Sequence, residues 1–309
     1  MKKIVLILAF AIVVASTVLA QETMYVSAKG SDNNSGSSEA EPTTFSMALT
    51  GTMLSKTKKI IIIGTLDITH NSFSNNETVF VIDDTLAALA KQDTTLGEIV
   101  ITGKPNASGT ERAILTAKGS GKIAVWVSRY KIRFEHIEIS GGEGENGVGL
   151  YISNNAQVTL GPGAVVRNNA GIGIFVNTDG SCIIDGGEVY NNNDEGVCVA
   201  GAFTLRNGTI KDNSSRNVGG GVAVHGKFTM SGGTITNNRT GTSANYLGGG
   251  VCVVKGGQFT MTGGTITNNR AQGAGGGVGV MSGGRFDQNG GTISGNSAGI
   301  RDPNVYREP

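Results

Sequence analysis

The sequence predicts an all-β fold, a single-stranded parallel β-helix with three short strands in each coil. One observation is a recurring phrase: GGGVAVHGKFTMSGGTITNNR, residues 219 to 239, returns as GGGVCVVKGGQFTMTGGTITNNR, residues 248 to 270. Another is that apolar residues alternate within each copy, which indicates strands. Three short strands cannot bury a face alone, so successive copies must stack into three parallel sheets around one core. The residues that open the first strand of six copies lie 24, 25, 25, 29 and 27 positions apart: Val148, Ile172, Val197, Val222, Val251 and Val278.

Composition agrees with a repeat protein and excludes several classes. The 49 glycines cluster at long, regular intervals, unlike the strict three-residue period of collagen, and aromatic residues make up only 6% of the chain. Without Lys2 and Lys3 the chain has 23 basic and 24 acidic residues. This balance predicts no nucleic-acid partner and no attraction to an anionic membrane.

The first 20 residues are predicted to be a secretory signal peptide. Lys2 and Lys3 precede an apolar run from Ile4 to Val14, and small residues end at Ala20. The run is short for a membrane span, which needs about 20 apolar residues. We therefore expect a mature bacterial protein that is secreted, periplasmic or at the cell surface, with no transmembrane segment after signal removal.

The remaining chain divides into three predicted parts. Residues 21 to 58 form an N-terminal cap of strand, loop and helix. Residues 59 to 300 form the β-helix, with irregular coils over 59 to 145 and regular repeats over 146 to 297. Residues 301 to 309 form a C-terminal tail that covers the last coil or frays.

Each regular copy places equivalent side chains in stacks. One stack is aromatic, and paired asparagines at the corner are expected to form a hydrogen-bonded ladder. The aromatic stack is Phe203, Phe228, Phe259 and Phe286, and the expected asparagine ladder is Asn169, Asn192, Asn213, Asn238, Asn269 and Asn296. Cys198 and Cys252 lie two coils apart, about 9.6 Å at the usual strand spacing, so we predict free thiols.

The start of the mature chain resembles secreted right-handed parallel β-helix proteins of the pectate-lyase-like superfamily. The resemblance rests on Tyr25-Val26-Ser27, the Gly30-Ser31-Asp32 loop, Ser35-Gly36, Pro42 and an expected helix from Phe45 to Leu54. The Gly-Gly-Thr-Ile-Ser/Thr-Asn-Asn repeats resemble those of bacterial surface β-helices. The resemblance implies a right-handed coil. In lyases of this kind it also implies a groove beside the first sheet, with Asp-bound calcium and an Arg or Lys base.

The outward positions of the first sheet do not fit such a lyase site. They contain neither a carboxylate nor a lysine or arginine, whereas calcium needs several oxygen ligands. These positions are Gly149, Tyr151, Gly173, Phe175, Cys198, Ala223, His225, Cys252, Val254, Gly279 and Met281. We predict no metal site and no cofactor here. Calcium remains an alternative only at the corner loops, which carry Glu143, Glu145, Asp194 and Glu195.

The leading hypothesis is an exported, non-catalytic surface β-helix that presents an extended face for adhesion or glycan binding. The apolar ribbon from Gly149 to Met281 would contact a polysaccharide or a surface protein. Tyr151, Phe175 and His225, taken to lie on neighbouring coils in one groove, are the expected ligand-binding residues.

The alternative hypothesis is a carbohydrate-active enzyme, either a pectate-lyase-like polysaccharide lyase or a glycoside hydrolase. Its site would lie in the irregular coils. The suspected catalytic residues stand in the segment YKIRFEHIEIS: Lys131, Glu135, His136 and Glu138.

Overall fold

The computed structural model describes residues 23–44, 48, 58–67, 81–82, 97–104, 112–116, 123–144, 147–241 and 246–309. The described chain is a right-handed parallel β-helix, as the sequence predicts, and all its strand pairings are parallel. The predicted signal peptide and His70 lie outside the described residues, as do Glu145 and all of the predicted 45–54 helix except Ala48. Among the described residues, no helix has the length and apolar character to cross a membrane.

The strands are short, and most have two to six residues. The irregular coils contain β1 (Thr23–Ser27), β2 (Lys59–Ile63), β3 (Thr65–Asp67), β4 (Val81–Ile82), β5 (Ile99–Gly103), β6 (Ala113–Thr116), β7 (Ile123–Ser128), β8 (Lys131–Glu135) and β9 (Ile137–Ser140). The next coils contain β10 (Val148–Ser153), β11 (Gln157–Leu160), β12 (Val165–Arg167), β13 (Ile172–Val176), β14 (Ser181–Tyr190), β15 (Val197–Val199), β16 (Ala202–Lys211), β17 (Ser214–Ser215), β18 (Val222–Val224) and β19 (Lys227–Met230). The last coils contain β20 (Thr234–Thr236), β21 (Arg239–Thr240), β22 (Val251–Val253), β23 (Gln258–Met261), β24 (Thr265–Thr267), β25 (Arg270–Ala271), β26 (Val278–Val280), β27 (Arg285–Gln288), β28 (Thr292–Ser294), β29 (Ser297–Ala298) and β30 (Val305–Arg307).

These strands stack into three faces. The first sheet has nine strands, in the order β30-β26-β22-β18-β15-β13-β10-β7-β4. The second and third faces join in one 17-stranded sheet, because β14 and β16 run continuously around the corner between them. The third face includes β3, β6, β9, β12, β20, β24 and β28. A four-stranded sheet of β17, β21, β25 and β29 closes the later corner.

Side-chain stacks fill the core, as the repeat predicts. Phe203, Phe228, Phe259 and Phe286 stack with centroid distances of 4.9, 4.5 and 4.7 Å, and all four are buried. Such offset stacking adds roughly 0.5–1.5 kcal/mol per pair beyond the burial of area. The register that one coil adopts is therefore repeated by the next, since each ring must lie over its neighbour.

The asparagine ladder runs through the corner after the third face. The Asn213 side chain donates to Asn238 Oδ1 at 2.9 Å and to Val189 O at 3.2 Å. Its own Oδ1 accepts from the backbone N of Asn192 at 3.1 Å and from the side chain of Asn192 at 2.9 Å. Each buried asparagine thus satisfies corner backbone groups that no strand pairs.

Glycine loops cover the outer face of the first sheet in the later coils. The loops are the glycine triplets 219–221, 248–250 and 275–277, and the first glycine of each has φ between 64° and 70°. A Cβ on Gly248 would lie only 2.7 Å from the Cα of Cys252, so the loop backbone rests directly on the strand. Cys252 is accordingly 0% exposed and Ala223 is 1% exposed. The expectation of an accessible apolar ribbon is therefore wrong for Ala223 and Cys252, whereas Val254 and Met281 are partly exposed.

The three cysteines are free, as predicted, and all three are buried, although Cys198 and Cys252 were expected at outward positions. Cys198 pairs with Ala223, and Ala223 pairs with Cys252, so a whole coil separates the two thiols on the first sheet. Burial raises the pKa of Cys182, Cys198 and Cys252 to about 12. None of them is a thiolate nucleophile at neutral pH.

Both ends of the described chain add strands to the stack. At the start, β1 pairs along its whole length with β2, and Val26 bridges to Thr43. At the end, β30 pairs with β26, the Asn304 Oδ1 accepts from the Asn296 side chain at 3.2 Å, and the Arg307 guanidinium lies 5.3 Å from the Phe286 ring centroid. The C-terminal residues therefore extend the first sheet, the asparagine ladder and the phenylalanine stack by one step each.

Candidate functional site

Three aromatic side chains form a ledge on the outer face of the first sheet. The aromatic ledge consists of Trp126 on β7, Tyr151 on β10 and Phe175 on β13, which are direct partners in adjacent strands. The Tyr151 and Phe175 rings are stacked, with centroids 5.3 Å apart and planes 11° apart. Trp126 meets Tyr151 edge-on at 5.7 Å. All three are half-buried, so part of each ring faces solvent.

Polar groups border the ledge at the strand ends. The Trp126 indole donates to Ser153 Oγ at 2.7 Å, and the Asn154 side chain donates to Ser128 Oγ at 2.9 Å. Asp179 accepts from the backbone N of Asn154. Burial, with a contribution from the Asp179 charge, raises the pKa of Tyr151, so its hydroxyl stays a neutral donor. The ledge combines apolar ring surface with fixed hydrogen-bonding groups.

His225 does not lie on this ledge. Phe175 pairs with Cys198, and Cys198 pairs with Ala223, so these three residues form one column. His225 lies outside that column, because its backbone N donates to Val199 O, one residue beyond Cys198. The expectation that His225 shares a column with Tyr151 and Phe175 is wrong. It assumed that β13 and β15 pair from their first residues, but Ile174, the third residue of β13, is the partner of Val197. His225 is exposed, and partial burial of its ring lowers its pKa.

The suspected catalytic residues are not gathered in one site. Lys131 and Glu135 lie on β8, where Lys131 approaches Glu98 at 3.8 Å and Glu135 accepts from Arg133 at 2.6 Å. His136 occupies the following corner with φ of 47°. Glu138 lies on β9, on the next face, and is 7% exposed. The strand alternation assumed for Glu135 and its neighbours ends at His136, because the chain turns there.

Glu138 instead lines an open cleft of about 620 Å³ on the third face and at the corner that follows it. The Glu138 cleft is built from segments that are far apart in the sequence. Its lining residues are Thr65, Ile114, Thr116, Glu138, Ser140, Gly141, Gly142, Glu143, Asn168, Asn169, Ala170, Asn191 and Asn193. The volume lies in the range of small-molecule sites.

A charged network fixes the Glu138 carboxylate. Arg167 on β12 lies 2.7 Å from Glu138 Oε2 and donates to the Tyr190 hydroxyl at 3.1 Å. Lys211 lies 5.0 Å from the centre of the Tyr190 ring and 2.9 Å from Glu188. The hydrogen bond that Arg167 donates to Glu138 raises the pKa of Arg167, so the guanidinium stays charged. In the sequence, this network is indicated only by the equivalent positions of Arg167, Tyr190 and Lys211 in three successive repeats.

Two neighbouring carboxyl groups, those of Asp194 and Glu195, lie at the corner before β15. Glu195 is 8% exposed and accepts from Ser215 Oγ at 3.2 Å, and its backbone N donates to Asp194 Oδ1 at 3.1 Å. Burial, and then the neighbouring Asp194, raises the pKa of Glu195 to about 8. The raised pKa favours the neutral carboxyl, which packs in this buried corner.

The corner acids do not assemble a metal site in the part of the chain described. Glu143 lines the Glu138 cleft, whereas Glu195 is buried beside Ser215. Across those described ranges, no group of three or more His, Cys, Asp or Glu side chains could hold a metal ion.

The chain is similar in structure to pectate lyase Pel9A, known from its crystal structure. The match has a TM-score of 0.53 and 15% sequence identity, and covers 92% of this chain and 78% of that chain. No protein-family model and no curated protein matches the sequence. At this identity the likeness shows the parallel β-helix fold and nothing about activity.

Proposed function

We propose that this protein is an exported, non-catalytic β-helix that binds glycans through the aromatic ledge. The observation that carries the proposal is the alignment of Trp126, Tyr151 and Phe175 on three consecutive coils, each ring partly open to solvent. Strand spacing of about 4.8 Å places one ring beside the next along the axis. A polymer lying along that axis would meet an aromatic group on each of these three coils.

The ledge suits a saccharide because sugars have both apolar C–H surface and hydroxyls. Tyr151 and Phe175 each cover one face of the other ring, so they contribute ring edges, which carry positive partial charge and attract oxygen lone pairs. Asn154 is exposed and supplies a hydrogen-bonding side chain at the end of the ledge, whereas the buried Ser128 and Ser153 hold Asn154 and Trp126 in place. Apolar contact with a few fixed polar groups is the usual composition of a ligand site.

The surroundings of the ionisable residues support binding without catalysis. Glu135 and Glu138 each bond to an arginine and lie on different faces. A carboxylate oxygen held by a guanidinium is poorly placed to transfer a proton to a leaving group. The predicted signal peptide supports export, which would bring the ledge to glycans of the periplasm, the cell surface or the medium.

Incubating the purified protein with a panel of polysaccharides, with and without calcium, tests the proposal. Both bound protein and newly formed unsaturated or reducing ends are measured. We expect retention on at least one glycan and no products. The double variant Tyr151→Ala/Phe175→Ala should lose retention at least tenfold, about 1.4 kcal/mol, since contact between the glycan and the exposed edges of both rings is removed.

The matched control is His225→Ala, an exposed residue outside the ledge, which should bind as the wild-type chain does. Equal retention of the ledge double variant would rule out the ledge as the site. Products that disappear in Glu135→Ala or Glu138→Ala would establish the enzyme alternative instead.

A further inference from the structure

The Glu138 cleft lies on a different face from the aromatic ledge and has its own chemistry. We propose that it is a separate binding site for an uncharged saccharide unit, and that it discriminates against anionic sugars. The proposal goes beyond glycan retention on the ledge, because it assigns a second site and a specificity.

The lining of the cleft combines several hydrogen-bonding side chains with apolar surface, which includes Ile114 and Ala170. Thr65, Thr116 and Ser140 contribute hydroxyls from three neighbouring strands. Asn168, Asn191 and Asn193 contribute exposed amides, and their side chains make no hydrogen bond within the described ranges. They differ in this from the buried ladder asparagines, whose amides are fully used. Such donors and acceptors match a ligand with many hydroxyls.

The charge of the lining selects an uncharged ligand. Glu138 and Glu143 are the charged residues among the described lining residues, and both are acidic. Arg167 balances the charge of Glu138, so Glu138, Arg167 and Glu143 together carry a net charge of −1. Bringing a sugar carboxylate beside Glu143 would cost free energy, because two like charges would share a partly desolvated cleft. A neutral sugar hydroxyl can instead donate to a carboxylate, and such charge-assisted hydrogen bonds are among the stronger ones.

Glu138 is held ready for such a contact before any ligand arrives. Its side chain is 9% exposed, and Arg167 holds Oε2 at 2.7 Å. Tyr190 in turn fixes Arg167 from the neighbouring coil. The Glu138 carboxylate is therefore already ordered when a ligand hydroxyl donates to it, so binding costs little conformational entropy of this side chain.

Isothermal titration of the full mature chain with defined oligosaccharides tests this proposal. The probes are neutral hexasaccharides of glucose, mannose or galactose, and the hexamer of galacturonic acid. We expect at least one neutral probe to bind and the galacturonic acid hexamer to bind at least tenfold more weakly. Binding of the acidic hexamer as tight as that of the best neutral probe, or binding of none of the neutral probes, would overturn the proposal.

A steric variant locates the binding in the cleft. Ala170 lines the cleft, and its side chain is partly exposed, so Ala170→Trp should fill the space without touching the Glu138–Arg167 pair. We expect loss of neutral-probe binding. The matched control is Ala202→Trp, an exposed position at the start of β16 outside the cleft, which should bind normally. Normal binding by Ala170→Trp would refute the cleft as the site.

A second variant tests the carboxylate itself. Glu138→Gln keeps the size of the side chain and an oxygen for Arg167 but removes the charge. We expect about tenfold weaker binding of the neutral probe, the loss typical of a hydrogen bond to a charged group. Thermal unfolding of the variant checks that the fold persists, and unchanged affinity in a folded variant would refute the role of Glu138.

The ledge and the cleft can fail independently. Tyr151→Ala/Phe175→Ala should abolish retention on polymers while leaving oligosaccharide titrations of the cleft intact. If only Ala170→Trp loses all glycan binding, the proposed ledge function is wrong and the cleft stands. If only the ledge variant loses binding, the cleft inference is wrong and the proposed function stands.

Discussion

At the residue scale, the glycine loops limit the size of the central side chain in each strand of the first sheet; a Cβ on Gly279 would lie 2.6 Å from Gly248 N. Gly219, Gly248 and Gly275 each place their backbone against the central residue of the following strand. That central residue is Ala223 or Cys252 in two of the coils, and both are buried. Small residues at these positions therefore reflect close approach of the backbone, since a larger side chain would displace the loop.

Glu195 makes stability depend on pH. Burial raises its pKa to about 8 in the folded chain, above the ordinary value of 4.5. The folded state then holds a proton that the unfolded state releases. The stabilisation is fully present below the ordinary pKa and is lost as the pH rises to about 8. We expect the midpoint of thermal unfolding to fall by several degrees from about pH 5 to about pH 8.

The variant Glu195→Gln isolates this effect, because the amide is neutral at every pH. We expect its unfolding midpoint to change much less over the same interval. Glu41→Gln, at an exposed carboxylate, serves as the control and should keep the wild-type slope. A Glu195→Gln variant with the full wild-type slope would show that another group is responsible.

At the scale of elements, the coils are joined more firmly at their corners than strand length suggests. Several strands have only two or three residues and few ladder bonds. The asparagine ladder compensates by linking every regular coil to the next through side-chain and backbone donors. A polar column of this kind is stabilising only while every member is satisfied.

Asn213→Ala should therefore be strongly destabilising. The substitution removes four hydrogen bonds and leaves buried groups of Asn192 and Asn238 without that partner. We expect a loss of about 3 kcal/mol in the free energy of unfolding, measured by urea denaturation. Asn237→Gly is the matched control, because Asn237 is exposed and already has φ of 56°. A loss below that of the control would mean that the ladder contributes little.

At the scale of the whole molecule, stability depends on how the stack ends. The last residues cover the edge of β26 through β30, terminate the asparagine ladder at Asn304 and cover Phe286 with Arg307. Pairing with β30 satisfies backbone N–H and C=O groups of β26 that would otherwise lie unpaired. Residues 302 to 309 thus cap the coil that contains Phe286.

Removal of residues 302 to 309 tests the cap. We expect a lower unfolding temperature and concentration-dependent aggregation, followed by light scattering during heating. Arg307→Ala is a graded comparison, since it removes the contact with Phe286 but keeps β30, and it should be less destabilising. A truncated chain that stays monomeric with the wild-type unfolding temperature would contradict this role.

The sequence by itself determined the fold class, the phenylalanine stack, the asparagine ladder and the free thiols. It could do so because equivalent residues of a repeat are related by translation alone. It also placed Tyr151 and Phe175 on one face, but it missed Trp126, which lies in an irregular coil where no repeat fixes the register.

Only the tertiary structure decided what is accessible. The shifted pairing of β13 with β15 moved His225 away from the ledge, because pairing follows side-chain packing and not strand starts. The glycine loops buried Ala223 and Cys252 of the expected ribbon, since a loop's path depends on contacts outside its own coil. The Glu138 cleft brings together Thr65, Glu138 and Asn191. Their proximity depends on the number of residues in each irregular coil.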